Sequence, residues 1–183
     1  MNGKRIDGIT IVAVVLLFFM GFRLLADKIN SAVALSPIQA QEQVIADPDA
    51  FSSPYPEYVI TQELHGYSYG HMAIDITAGK GAEIYSPIQG IVADLYVDGY
   101  NNTTLVIENA RYKVTMLHGD YTVSIGQQLQ LGDIVGTESN NGYTTDMYGR
   151  SCAGRNCGYH THINVFDKLV GENIDPLVLL AEQ

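Results

Sequence analysis

The chain has 183 residues, 46% of them hydrophobic and 16% charged, with a net charge of −10. That balance belongs to a globular protein, and the lack of a basic patch excludes a nucleic-acid binder. An acidic chain also gains nothing from general attraction to an anionic polymer, so such a substrate must be held by specific contacts.

After Lys4 and Arg5, residues 9–22 read ITIVAVVLLFFMGF, with Thr10 the one weakly polar position. Extended to Ile6 and Ala26, the stretch approaches the roughly 20 residues that a spanning helix needs. Asp7 and Arg23 lie at its edges, where they can snorkel to the headgroups. It is apolar on every face, unlike the helix of a soluble core. Residues 1–26 therefore read as an N-terminal transmembrane helix. The alternative is a signal peptide cleaved after Ala32-Val33-Ala34, twelve residues beyond Phe22. Either way the rest of the chain is expected outside the cytoplasm, anchored or secreted.

Residues 27–58 read as a spacer, because four of the six prolines (Pro37, Pro48, Pro54, Pro56) fall there. No tyrosine precedes Tyr55 and all twelve follow from it, which marks a domain boundary nearby. A flexible spacer of this length spans only about 30 Å, so an anchored domain would work close to the membrane. The domain itself reads as residues 59–178, with 179–183 a tail.

Short alternating segments between turn residues fill that domain. Ile84, Ile88, Ile91, Val92 and Leu95 are broken by Pro87 and Gly90, and strands over 103–108 and 111–118 flank an ENAR turn. QQLQLGDIVGT turns at Gly132-Asp133, and only DPLVLL near the end suits a helical turn. No window carries a sustained helical period. The fold class is all-β, an antiparallel sandwich or barrel-like domain.

The histidines come next. His71 is followed by Asp75; in a straight strand the two would lie about 13 Å apart, so the chain must bend after His71, and Gly70 makes a bend cheap. His118 ends the strand RYKVTMLH, whose alternation puts Tyr112, Val114, Met116 and His118 on one face. His160 and His162 stand at i and i+2 in YHTHINVF, so both rings look out together and can converge on one metal. His65, in ELHGYSYG, has no second feature beside it and reads as solvated and incidental.

In order, H-x-x-x-D, an isolated strand-end histidine and H-x-H within an all-β domain resemble the lysostaphin/LytM family of zinc peptidoglycan endopeptidases. GHMAIDI is similar to that family's H-x-G-[IVL]-D, with Ala73 where Gly is usual, and YHTHINVF to its P-H-L-H-F-E-[VI], with Tyr159 in place of Pro. GAEIYSPIQGIVADL and VSIGQQLQLGDIVGT resemble its glycine-punctuated strands. The resemblance implies one Zn2+ per chain held by His71, Asp75 and His162, the open three-ligand arrangement of a catalytic zinc. It implies that His118 and His160 are the catalytic histidines, one as general base and one stabilising the oxyanion. The implied substrate is a peptide cross-link of peptidoglycan, in the setting of the cell wall or of secretion or conjugation machinery. The other reading is a catalytically silent relative that regulates another wall hydrolase; such domains typically lack one or more of the five residues, and this chain keeps all five. A biotinyl-like carrier, suggested by YSPIQGIV and GQQLQLGDIVG, would need a Met-Lys hairpin, which is absent.

Between Gly142 and Gly158 this chain has GYTTDMYGRSCAGRNCG where the family has a short loop. A disulfide between Cys152 and Cys157 is expected to fix this loop as one wall of the substrate groove. Tyr143, Tyr148, Arg150 and Arg155 are its candidate substrate contacts.

Overall fold

The structure is a computed structural model that describes residues 47–181. The apolar stretch at 9–22, most of the expected spacer and residues 182–183 lie outside the described residues. Among the described residues no helix is long and apolar enough to cross a membrane.

The domain is built almost wholly from antiparallel strands. In chain order they are β1 (Val59–His65), β2 (Ala73–Thr77), β3 (Glu83–Tyr85), β4 (Gly90–Val97), β5 (Thr103–Glu108), β6 (Tyr112–Leu117), β7 (Asp120–Tyr121), β8 (Gln128–Leu129), β9 (Ile134–Thr137), β10 (Thr161–Asp167) and β11 (Glu172–Ile174). A short α-helix, α1 (Pro176–Leu180), closes the domain, with Asp175 accepting from the Leu177 N–H as N-cap. The main sheet runs β1-β2-β10-β6-β5-β4-β8, and β3-β9-β7 form a second, smaller sheet. One edge of β10 is shared: β2 pairs with it over Thr161–Asn164 and β11 over Val165–Asp167.

Period-2 alternation decides which side chains form the core. Ile74 and Ile76 of β2, Val114 and Met116 of β6, and Ile163 and Val165 of β10 are all fully buried, with Ile84, Leu105, Ile107 and Val135 completing the cluster. The opposite face of β2 and β10 is thereby left to Asp75, His162 and Asn164.

The end of the expected spacer belongs to this domain. Tyr55 is buried in the core, and its hydroxyl meets the Thr161 hydroxyl at the start of β10. Backbone bonds from Ser52 N–H to Pro87 O and from Tyr85 N–H to Pro54 O tie residues 52–54 down. Proline content alone pointed to a linker there, but an aromatic ring that can bury both its apolar body and its hydroxyl overrides it.

Candidate metal centre

The register of the main sheet creates the centre. In the β10–β2 ladder His162 lies directly opposite Asp75, and cross-strand partners on one face have adjacent Cβ atoms. The His162 Nδ1 is 2.9 Å from Asp75 Oδ1. Burial pushes the Asp75 carboxyl up, but the His162 hydrogen bond and the rings of His160, His162 and His65 outweigh it and hold Asp75 ionised, below the usual carboxylate range.

His71 precedes β2. Gly70 is left-handed (φ 76°) and turns the chain, so His71 Nε2 comes to 2.9 Å from His162 Nε2, the two rings stacked. Burial, then the neighbouring His162 and His65 rings, lower the His71 pKa and favour the neutral, ligating form.

His118 departs from the expected alternation. It lies just past β6 with φ 74°, one of two non-glycine residues with positive φ among the described residues. The left-handed step swings its ring off the core face occupied by Met116 and toward the centre, where it sits 4.6 Å from the His160 ring. Its N–H donates to Thr103 O and its Nδ1–H to Asn141 O at 2.7 Å, holding the strained residue in place. Burial, then the His160 ring, push the His118 pKa down to about 4, so it is neutral at pH 7.

His160 donates Nδ1–H to Gly158 O at 2.9 Å, and its Nε2 lies 3.7 Å from Asp75 Oδ2. A carbonyl can only accept, so in both His118 and His160 the Nδ1 carries a proton and Nε2 is the nitrogen left clear of the carbonyl.

His65 is not the solvated residue that its sequence context suggested. It ends β1 opposite Ala73, whose side chain shares a face with Asp75, and so becomes a diagonal neighbour of that carboxylate. Its Nε2 lies 3.3 Å from His162 Nδ1 and 3.8 Å from Asp75 Oδ1. The available signal was the segment HGYSYGH, in which a glycine at each end of a five-residue loop lets two histidines return to one place.

These donors suit zinc. With bonds of 2.0–2.2 Å, the edges of a tetrahedral site are about 3.3–3.6 Å. The distances of 2.9, 3.3 and 3.8 Å among His65, Asp75 and His162 bracket that value.

A cleft of about 840 Å³ opens over Asp75, His118, His160 and His162, walled by Thr61 and Gln62 of β1 and by residues 143–147 and 157–159. A second hollow, of about 570 Å³, continues past His65, His71 and Tyr100, and shares His118, His162 and Tyr143 with the first. Cys152 and Cys157 are joined as a disulfide, and Asn140 Nδ2 donates to Arg155 O and Cys157 O, anchoring the loop. Of the loop's proposed contacts, Tyr143 lines both hollows. Tyr148 is exposed and its ring lies against the Arg150 guanidinium. Arg150 and Arg155 both bind Asp146, each at 2.9 Å or closer, and hold its carboxyl far below the usual range. Asp146, not named from the sequence, is thus the loop's internal clasp.

The sequence profile of peptidase family M23 matches residues 69–176, which is more than half of the chain and includes His71, Asp75, His118, His160 and His162. The chain belongs to peptidase family M23. Among solved structures, a zinc-containing peptidase from Vibrio cholerae is similar to this M23 domain at 26% identity, TM-score 0.54, over 69% of this chain and 39% of the other. Lysostaphin from Staphylococcus simulans shares the fold at 16% identity, TM-score 0.56, over 75% and 55%. The SpoIIQ–SpoIIIAH pore-forming complex does so at 13% identity, TM-score 0.55, over 73% and 92%. This chain therefore spans about two fifths of the Vibrio cholerae peptidase. No curated protein gives a significant match.

Proposed function

We propose that this M23 protein is a zinc endopeptidase that cuts peptide cross-links of bacterial peptidoglycan, with its domain outside the cytoplasm and tethered by the apolar segment at 9–22. The fold does not decide this, since the same fold occurs in a pore-forming complex. What supports the reading is the clustering of Asp75 and all five histidines, drawn from five separate stretches of chain, around two hollows that share His118 and His162. A domain that only docked on a partner would have no need of two histidines each oriented by a backbone carbonyl at Nδ1 beside a metal-binding set.

Asp75, His162 and His71 would hold the zinc. Bound there, zinc supplies Lewis acidity, which brings the pKa of water to around 7 and polarises a carbonyl. His118 and His160 move the proton at Nε2. Their rings are 4.6 Å apart, and the His160 ring disfavours a charge on His118. The ring that has taken the proton becomes an N–H donor toward the oxyanion of the attacked carbonyl or toward the leaving amine. Hollows on both sides of the His118–His162 pair let a substrate chain run through rather than end at the site, which suits an endopeptidase.

The reading is tested by incubating the protein with peptidoglycans of several cross-link types, with and without a chelator, and mapping new amino termini by mass spectrometry. Chelator-sensitive cleavage is expected and names the bond. Zinc-loaded protein that cuts no wall type would instead favour the silent regulator of another hydrolase.

A further inference from the structure

His118 is a left-handed residue that is not glycine (φ 74°), so its conformation persists only because its surroundings hold it. Asn141 bonds to His118 and to both residues after it. Its carbonyl oxygen accepts from the His118 Nδ1–H at 2.7 Å, and its own N–H donates to His118 O at 3.3 Å. Its side-chain Nδ2 donates to Gly119 O at 3.3 Å and to Asp120 Oδ1 at 2.6 Å. A side-chain amide nitrogen has two protons to give, and both find an acceptor on this one segment. Gly119 O also accepts from Thr103 Oγ1 at 2.6 Å, and Thr103 O accepts from the His118 N–H at 2.9 Å. The peptide after His118 is thus gripped by Thr103 of β5 and by Asn141, and of the two Asn141 bonds the ring as well.

We propose that Asn141 is a positioning residue of this protein: it sets the orientation of the His118 ring, and Asp120 in turn anchors Asn141. This rests on the peptidase reading above and deepens it, since His118 there carries the proton. An imidazole has two nitrogens, and a carbonyl at Nδ1 decides which of them is left free to work. With Asn141 O at Nδ1, the free one is Nε2, in a ring 4.6 Å from that of His160. A carbonyl by itself does not explain the asparagine, because any residue at 141 would offer one. What the side chain adds is the bond to Asp120, which keeps that carbonyl in place. A carboxylate acceptor makes the bond stronger than one between two amides. Asp120 belongs to β7, which pairs with β9, so the anchor is a strand of the second sheet rather than another loop.

The test uses the full chain loaded with zinc, with peptidoglycan as substrate. Asn141→Asp is nearly isosteric and sets one carboxylate against another, while Asp120→Ala, at an exposed position, removes only the anchor. In both, kcat should fall at least about tenfold, toward the roughly 10²-fold that a misplaced group can cost, with zinc stoichiometry and KM unchanged. Adding Asp120→Asn to Asn141→Asp restores a donor and an acceptor in reversed places and should recover part of the loss. Proton–nitrogen NMR, with His118→Ala to assign the signal, should show the Nδ1–H of His118 in the wild type and its faster exchange in both single variants. A merely structural role would lower the melting temperature but leave kcat and this signal as they were. That result in the folded variants, or no recovery in the reversed pair, would overturn the proposal. If Asn141→Asp does not fold, Asp120→Ala decides by the same readouts. A wild type that binds zinc but cuts no wall type sinks the peptidase reading instead. The ring signal then judges Asn141 alone: faster exchange in Asp120→Ala upholds its hold on His118, and an unchanged signal ends it.

Discussion

Asp75 and His162 face each other across the ladder of β2 and β10, whereas His65, His71, His118 and His160 all stand at strand ends or in the turns just outside them. The first pair is positioned by the core: the register that buries Ile74, Ile76, Ile163 and Val165 is the same one that sets carboxylate against imidazole. A one-residue slip would bury the polar pair and expose the isoleucines, so the geometry of the pair is as secure as the sheet. The remaining four depend on local devices: left-handed residues at 66, 70, 118 and 158, and backbone carbonyls that fix ring orientation. Metal affinity should therefore follow the strand pair together with His71 and the turn that carries it, and turnover should follow His118 and His160.

Replacing His118 tests that division most severely. His118→Ala should keep zinc at full stoichiometry, because Asp75, His162 and His71 are untouched, while peptidoglycan cleavage falls by about 10²–10⁴, the range for a general acid–base group. Metal analysis beside initial rates checks both halves. Full activity in the variant would remove His118 from the proposed chemistry.

The turn that carries His118 also has a price in stability, and its sign can be worked out. The folded-state pKa is pushed below the ordinary 6.5 to about 4 by burial and by the His160 ring. Above pH 6.5 the ring is neutral in both states; between 6.5 and 4 the unfolded chain binds the proton and the folded protein does not. Zinc-stripped protein should thus lose stability as pH falls through this window, with His118 contributing on the order of 3 kcal/mol. Urea unfolding at pH 7 and pH 4.5 should show the loss, and His118→Phe should flatten it. An equally steep pH dependence in the variant would place its origin elsewhere.

Gly66 sharpens the comparison within the loop half. Gly66→Ala forces a side chain onto a left-handed residue and against the His71 carbonyl, which should cost more than about 1 kcal/mol and shift both His65 and His71. Gly79 and Gly81 are also left-handed but have open space at the Cβ position, so alanine there should cost only the backbone strain and leave zinc affinity unchanged. If Gly66→Ala binds zinc as the wild type does, the loop is not what positions the ligands.

The strand pair and its surroundings were legible in the sequence because alternation is a regular signal. The strands over 103–108, the ENAR turn, the break at Gly132-Asp133 and the helical turn in DPLVLL all have counterparts in the structure. Alternation alone put His118 on one face with Tyr112, Val114 and Met116; the positive φ at His118 breaks that alternation, and no glycine marks the reversal. His65 was missed for a related reason. Judged by neighbours in sequence it has no partner, and only the glycines at both ends of HGYSYGH record that the loop closes on itself. Tyr55 shows the reverse error, a core residue hidden by the prolines around it.

The smallest effect is expected in the loop closed by Cys152 and Cys157. Arg150 and Arg155 suggested themselves as substrate contacts because an extended loop beside a cleft often binds ligand. Both are spent on Asp146, whose carboxylate also accepts from the Tyr148 and Arg150 N–H groups, so the guanidiniums close the loop rather than face the cleft. These pairs are well exposed on the arginine side, so Arg150→Gln or Arg155→Gln should lower stability by no more than about 1 kcal/mol. KM for peptidoglycan fragments should hardly move in either variant, whereas Asp146→Asn, which frees both arginines at once, should loosen the wall and raise KM. A KM that rises in the single arginine variants with stability unchanged would mean that the substrate competes with Asp146 for the guanidiniums, and that the loop opens its clasp on binding.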